Sequence, residues 1–194
     1  MLTDSVPGES EKAQSPVVVL YTFSNHRFEP SVFEQHMRSL PAAMQQTIRR
    51  FMRWEDAQLG LLGKILLRET LKLSGIASVE LDKIAYTEFN RPYYAEEFDF
   101  NISHSGNMVV CAVSKQSRIG IDIEIIRPIN MEEFTDQFTA SELNQMRNSA
   151  EPLREFYRWW TRKEAILKAD GKGLNIPLKS IRFKDETLAE VENR

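Results

Sequence analysis

The chain has little of what most often announces a function. A single cysteine in 194 residues excludes an internal disulfide. That residue, Cys111, sits in the apolar run Met108 to Val113 and reads as a buried thiol rather than a nucleophile. Cysteine use of this kind fits a reducing, cytoplasmic setting. Excess charge is equally scarce: 25 Lys and Arg against 28 Asp and Glu leave a net charge of -3. No global basic field therefore argues for a nucleic-acid partner. No apolar run approaches the roughly 20 residues of a membrane span. The N-terminus also lacks the basic and apolar regions of a signal peptide. What remains is 42% apolar and 27% charged, an ordinary globular composition with length enough for a sizeable core.

Read in order, residues 1–15 are rich in Ser, Glu, Pro and Gly without periodicity and are expected to be disordered. Val17 to Phe23 is a continuous apolar run and reads as a buried strand. A short helix opens at Pro30-Ser31 and should bury Val32, Phe33, Met37 and Leu40. Apolar residues three or four apart predict one helix over about 42–73, stopped at Ser74-Gly75. Gly60 and Gly63 inside it mark either a break or a close backbone contact. Ile84 to Phe89 reads as a strand ended by Asn90-Arg91-Pro92, which offers Arg91 on a turn. Phe100 begins a strand expected to give way to a polar loop through Ser103-His104-Ser105-Gly106, and Met108 to Val113 returns as the next strand. Asn130 with Glu133, and Thr139 with Glu142, have the spacing of helix caps. A long helix from Pro152 to about Ala169 should close at Gly171, before a strand at Ile181-Arg182-Phe183.

Three places could carry chemistry. In Ile119-Gly120-Ile121-Asp122-Ile123-Glu124 the isoleucines alternate with other residues, so a strand here would place two carboxylates on one face. At ~4 Å such a pair repels by ~4 kcal/mol at an effective dielectric of about 20, unless a cation intervenes or water solvates both. Either a divalent-cation site or a solvated edge strand satisfies that pattern. Trp160, Glu164 and Lys168 recur every four residues and share a helix face, as a cleft border or as an ordinary surface pair. Ser103 and His104 follow one another where a hydroxyl, an imidazole and turn amides can meet phosphate oxygens. His26 and His36 have no such setting. The six-residue pattern R-x-F-x-R-W occurs twice, at Arg49 to Trp54 and Arg154 to Trp159. With the order of elements it suggests two similar lobes, residues 16–117 and 118–194, the second short of at least one strand.

Taken together, Asn101-Ile102-Ser103-His104-Ser105-Gly106, then Ile119 to Glu124, then Trp160-Thr161-Arg162-Lys163-Glu164-Ala165-Ile166-Leu167-Lys168 with Gly171-Lys172-Gly173 resemble the Sfp-type 4′-phosphopantetheinyl transferases. The resemblance runs from about Arg49 to Phe183. It implies an α+β fold of two pseudo-symmetric lobes with the active site between them, and a cytoplasmic enzyme working as a monomer. It also implies transfer of the phosphopantetheine arm of coenzyme A to a serine of an apo acyl or peptidyl carrier protein, with Mg²⁺ as metal and 3′,5′-ADP released. By the same resemblance Asp122, Glu124 and Glu164 would hold the metal, and Glu164 would take the serine proton. Lys168 would meet the pyrophosphate, while Arg91, Ser103 and His104 would contact coenzyme A. Residues 42–46 lack the basic side chains the family uses for the 3′-phosphate, so by the resemblance either Arg49, Arg50 or Arg53 would substitute or the affinity would be weaker. The competing reading is a non-catalytic module that binds coenzyme A or a carrier protein.

Overall fold

The computed structural model describes residues 17–94, 98–115, 117–184 and 189–191. The tail expected over residues 1–15 lies outside them. The fold is α+β, and among the described residues no helix is long and apolar enough to cross a membrane.

A three-stranded antiparallel sheet organises the first half, in the order β1 (Val17–Phe23), β5 (Met108–Lys115), β4 (Phe98–Ser105). The central strand β5 is buried along nearly its whole length: Val109, Cys111 and Val113 join the core with helix α3 (Trp54–Leu73), and Val110, Ala112 and Ser114 on the opposite face are buried as well. Burial pushes the Cys111 thiol up to about 11, so it stays protonated and is no nucleophile. Strand β1 is an edge strand rather than the buried one expected. Its alternate residues Val17, Val19, Tyr21 and Phe23 are 47–61% exposed, while Leu20 on the opposite face joins the core under α3. An all-apolar run cannot reveal how many of its faces will be covered.

The helix expected over 42–73 is two helices, α2 (Ala42–Arg49) and α3. Arg53 is extended between them (φ -99°, ψ 138°), and Phe51 in the break folds back onto α3. A Cβ at Gly60 would lie 3.1 Å from the Phe51 ring, and one at Gly63 would lie 3.3 Å from Ile102 of β4. Both glycines are therefore close contacts within an unbroken α3. Helix α1 (Pro30–Arg38) buries Met37 as expected but leaves Val32 39% exposed. The strand expected over 84–89 shrinks to β2 (Ala85–Tyr86), paired with β3 (Pro92–Tyr93). Between them Asn90 adopts a left-handed φ of 60° and turns the chain. Strand β4 does not stop before Ser103 but pairs through Ser105, so Ser103 and His104 are strand residues on opposite faces.

In the second half, the first expected cap opens a 3₁₀ segment (Met131–Gln137) on Asn130. The second forms a complete capping box, Thr139 with Glu142, at the start of α4 (Ala140–Asn148). Helix α5 (Pro152–Asp170) ends at Gly171 with a left-handed φ of 87°. A two-stranded pair follows, β6 (Ile181–Phe183) with β7 (Ala189–Val191). The two R-x-F-x-R-W matches are not equivalent. The first straddles the α2–α3 break, whereas the second lies wholly inside α5.

Lys163 of α5 is fully buried, and its ammonium donates to Glu142 Oε2 (2.9 Å) and to the carbonyls of Leu178 and Ile181 (3.0 Å each). Glu142 Oε2 also accepts from the Thr139 amide, so one carboxylate joins the α4 cap to α5 and the entry to β6. Every donor of the ammonium is used, which is the condition under which a buried charge is tolerated. Lys163→Ala leaves Glu142 charged and unpaired, and should lower the unfolding free energy by roughly 3–5 kcal/mol in urea denaturation.

Candidate active site

Strand β4 presents Asp99, Asn101, Ser103 and Ser105 on one face, and the extended segment 118–126 lies along them. The amides of Ile119, Ile121, Ile123 and Ile125 donate to Asp99 Oδ2 (2.7 Å), Asn101 Oδ1 (3.0 Å), Ser103 Oγ (3.4 Å) and Ser105 Oγ (3.0 Å). Each acceptor lies 20 residues before its donor. The sequence led to the expectation of a sheet strand here. The segment is extended, but among the described residues it joins no backbone ladder. Side chains stand in for the neighbouring strand and satisfy alternate amides. The two serines do more, since Ser103 donates to Asp122 Oδ1 (2.9 Å) and Ser105 to Glu124 Oε2 (2.8 Å). Both carboxylates are thus aimed by hydroxyls from β4.

The other side of the segment rests on α5. A Cβ at Gly120 would fall 1.9 Å from the Ala165 carbonyl oxygen and 2.6 Å from the Ala169 nitrogen, so only glycine permits this backbone-to-backbone approach. The contact brings Asp122 against Lys168, whose ammonium donates to Asp122 Oδ1 and to Ser103 Oγ (3.1 Å). Arg91 ties the same elements from the end. It grips Asp99 with two bonds (2.6 and 2.5 Å), donates from Nε to the Lys168 carbonyl (2.8 Å), and reaches the Ile119 carbonyl (3.0 Å). Its stem packs on Gly171, where a Cβ would lie 2.3 Å from Arg91 Cδ.

Ser103, His104, Asp122, Glu124, Glu164 and Lys168 line one cleft of about 300 Å³, with Trp160 in its wall. Arg91 lines an adjoining cleft that shares Glu164 and Lys168. Burial raises the Glu164 carboxyl above its usual range, Asp122 and Glu124 push the same way, and Lys168 opposes them. Asp122 Oδ2 is buried without a partner, although its other oxygen has two. Among the described residues no three His, Cys, Asp or Glu side chains converge tightly enough to ligate an ion as they stand. The donor set nonetheless fits a hard divalent cation in kind: an orphaned buried carboxylate oxygen, with two further carboxylates on the same cleft.

Sequence reasoning did not single out Asp99, Ser105 or Gly120 as positioning residues, nor Lys163 as a buried anchor. The period-two polar run Asp99, Asn101, Ser103, Ser105 inside an apolar strand was the available signal. Lys163 carried none, because a lysine between Arg162 and Glu164 reads as surface.

Several carboxylates and one ammonium in a single cleft, with no nucleophilic side chain engaged, equip a transferase that moves a phosphate-borne group by positioning and charge stabilisation. The profile described as 4'-phosphopantetheinyl transferase superfamily matches residues 118–194, and that described as 4'-phosphopantetheinyl transferase, N-terminal, matches residues 26–116. The chain is 36% identical over 169 residues to 4'-phosphopantetheinyl transferase Sfp of Bacillus subtilis, covering 82% of this chain and 73% of that protein. It is 30% identical over 168 residues to 4'-phosphopantetheinyl transferase gsp of Aneurinibacillus migulanus, covering 84% and 70%. To the L-aminoadipate-semialdehyde dehydrogenase-phosphopantetheinyl transferase of Xenopus laevis it is 31% identical over 159 residues, covering 72% and 52%. The chain belongs to the 4'-phosphopantetheinyl transferase superfamily.

Two outcomes follow from this geometry. Gly120→Ala must push the segment off α5, and should cost about 1–3 kcal/mol in thermal or urea unfolding. Because the raised Glu164 pKa favours the folded state below the carboxyl's unfolded value, that contribution is lost as pH rises through the folded value. In metal-free buffer Glu164→Gln should therefore raise the melting temperature at neutral pH, and the difference should vanish in acid.

Proposed function

We propose that the protein transfers the 4′-phosphopantetheine arm of coenzyme A to a serine of an apo acyl or peptidyl carrier protein in the cytoplasm. The observation that carries this reading is the gathering of Ser103, His104, Asp122, Glu124, Glu164 and Lys168, up to 65 positions apart, around one cleft. The serine oxygen forms a new bond to the β-phosphorus of coenzyme A, and the bond from that phosphorus to the bridging pyrophosphate oxygen breaks. 3′,5′-ADP leaves.

Asp122, Glu124 and Glu164 would hold Mg²⁺, which when bound supplies charge neutralisation at the pyrophosphate. Glu164 is suited to accept the serine proton, since a carboxyl with a raised pKa is a stronger base than an ordinary one. The Lys168 ammonium, at the mouth of the cleft, takes up charge on the departing phosphate and must exchange Asp122 for that oxygen. Ser103 has a second task in keeping Asp122 aimed. His104, exposed on the opposite face of β4, is available to phosphate oxygens. Arg91 serves mainly by holding β4, the acidic segment and α5 in register, because a coenzyme contact at its guanidinium competes with a bidentate carboxylate.

For the carrier, Arg154 and Arg158 border a cleft beside Glu124 and suit an acidic partner. Arg162, one turn further along α5, instead lies 4.0 Å from the centroid of the Phe183 ring. A non-catalytic binding module has no named relative in its favour among those above.

The test incubates the protein with coenzyme A, Mg²⁺ and several apo carriers and weighs each carrier. A mass gain equal to one phosphopantetheine arm is expected. No gain on any carrier would defeat the reading. Glu164→Gln should retain coenzyme A binding measured by calorimetry, yet slow transfer by at least about 100-fold.

A further inference from the structure

The ion pair between Asp122 and Lys168 joins two groups of unequal freedom. The Asp122 side chain is 5% exposed, and its segment cannot shift towards α5, because Gly120 already lies against the Ala165 carbonyl. From β4, Ser103 donates to Asp122 Oδ1 at 2.9 Å and holds the carboxylate from the other side. The Lys168 side chain is 30% exposed. Arg91 pins its backbone through the carbonyl, yet the ammonium rides on a flexible stem. When the pair parts, it is the lysine that moves.

Both bonds to Asp122 fall on one oxygen. Oδ1 receives the Ser103 hydroxyl and the Lys168 ammonium, and the ammonium also donates to Ser103 Oγ at 3.1 Å. Oδ2 is buried and unpartnered. The ammonium therefore stands one carboxylate oxygen away from the atom best placed to receive a divalent cation. Like charges so close oppose each other strongly where burial limits screening. Glu124 and Glu164 line the same cleft, but with Asp122 committed to the lysine the three carboxylates do not converge as a ligand set. The most buried acid of the cleft is thus neutralised by a cation that the chain itself supplies.

We propose that Lys168 is a gate on the metal position: its ammonium keeps a divalent cation off Asp122 until the pyrophosphate of the donor draws it away. The inference rests on the transferase reading above, and deepens it by giving Lys168 a task before any bond is broken. Donor and metal then bind in concert, over and above any direct contact between them. A lysine that occupies Asp122 in about nine molecules of ten lowers the apparent metal affinity by ~10-fold.

Mn²⁺ serves as the probe, a hard cation that accepts the same oxygen ligands as Mg²⁺. Its free concentration would be followed by electron paramagnetic resonance during titration of the wild-type chain, Lys168→Met and Lys168→Gln, each with and without saturating coenzyme A. Melting curves confirm that each variant folds. Without coenzyme A both variants should bind Mn²⁺ about 10-fold more tightly than the wild type, and with it the three chains should agree within about 3-fold. Arg154 borders Glu124 but pairs with Glu151, so Arg154→Met removes a nearby charge without releasing Asp122. It should stay within about 3-fold of the wild type in both states. Lys168 variants that bind Mn²⁺ no more tightly than the wild type, or that tighten it equally with and without coenzyme A, overturn the gate. A wild type that adds mass to no carrier overturns the transferase reading instead. The two failures are told apart because the coenzyme-free titration involves no carrier.

Discussion

The site depends on four hydrogen bonds in which backbone amides of one segment are received by side chains of one strand. Asp99, Asn101, Ser103 and Ser105 replace the carbonyl row that a neighbouring strand would offer to Ile119 through Ile125. Because donor and acceptor both advance two residues per step, the register is fixed over the whole length, and a slip by one would strand every amide. Asp122 and Glu124 fall between the bonded amides and are met by the same serines. Their place is thus a consequence of the backbone's accommodation.

Helix α5 completes the arrangement by dividing its labour between faces. Lys163 turns inward, where Glu142 and two carbonyls use all three of its donors, and it secures the helix against α4 and β6. Glu164, the next residue, points instead to the cleft with Trp160 and Lys168. Two ammonium groups five residues apart on one helix therefore differ in role because of their partners. The buried one is fully satisfied, and the other holds the carboxylate of Asp122 at the cleft. Arg91 closes the frame at the helix C-terminus, where Gly171 leaves room for its stem.

The concentration of negative charge in the cleft opposes folding to some degree, since burial and two neighbouring carboxylates raise the Glu164 pKa together. Asp122 Oδ2 is left without a partner, as are Arg68 Nε, Ser114 Oγ and Trp159 Nε1, but it alone of these four residues lines the cleft with two further carboxylates. Such a conflict between stability and placement is the usual mark of a site kept for binding.

Local chemistry was legible in the chain itself. The Thr139–Glu142 capping box, the glycine stop at Gly171 and the Pro30 and Pro152 helix starts depend on residues near one another, so composition and spacing determined them. The face shared by Trp160, Glu164 and Lys168 followed from helical period alone. What spacing could not reach was anything decided by contacts across the molecule. The exposure of β1, the break between α2 and α3 beneath Phe51, the burial of Lys163 and the absence of a ladder at Ile119 to Ile125 all turn on which distant element arrives as neighbour. The sequence determined which charged and hydroxyl side chains were on offer. Tertiary packing decided that they do meet around one cleft, because desolvation and long-range hydrogen bonds exist only once the chain has closed on itself.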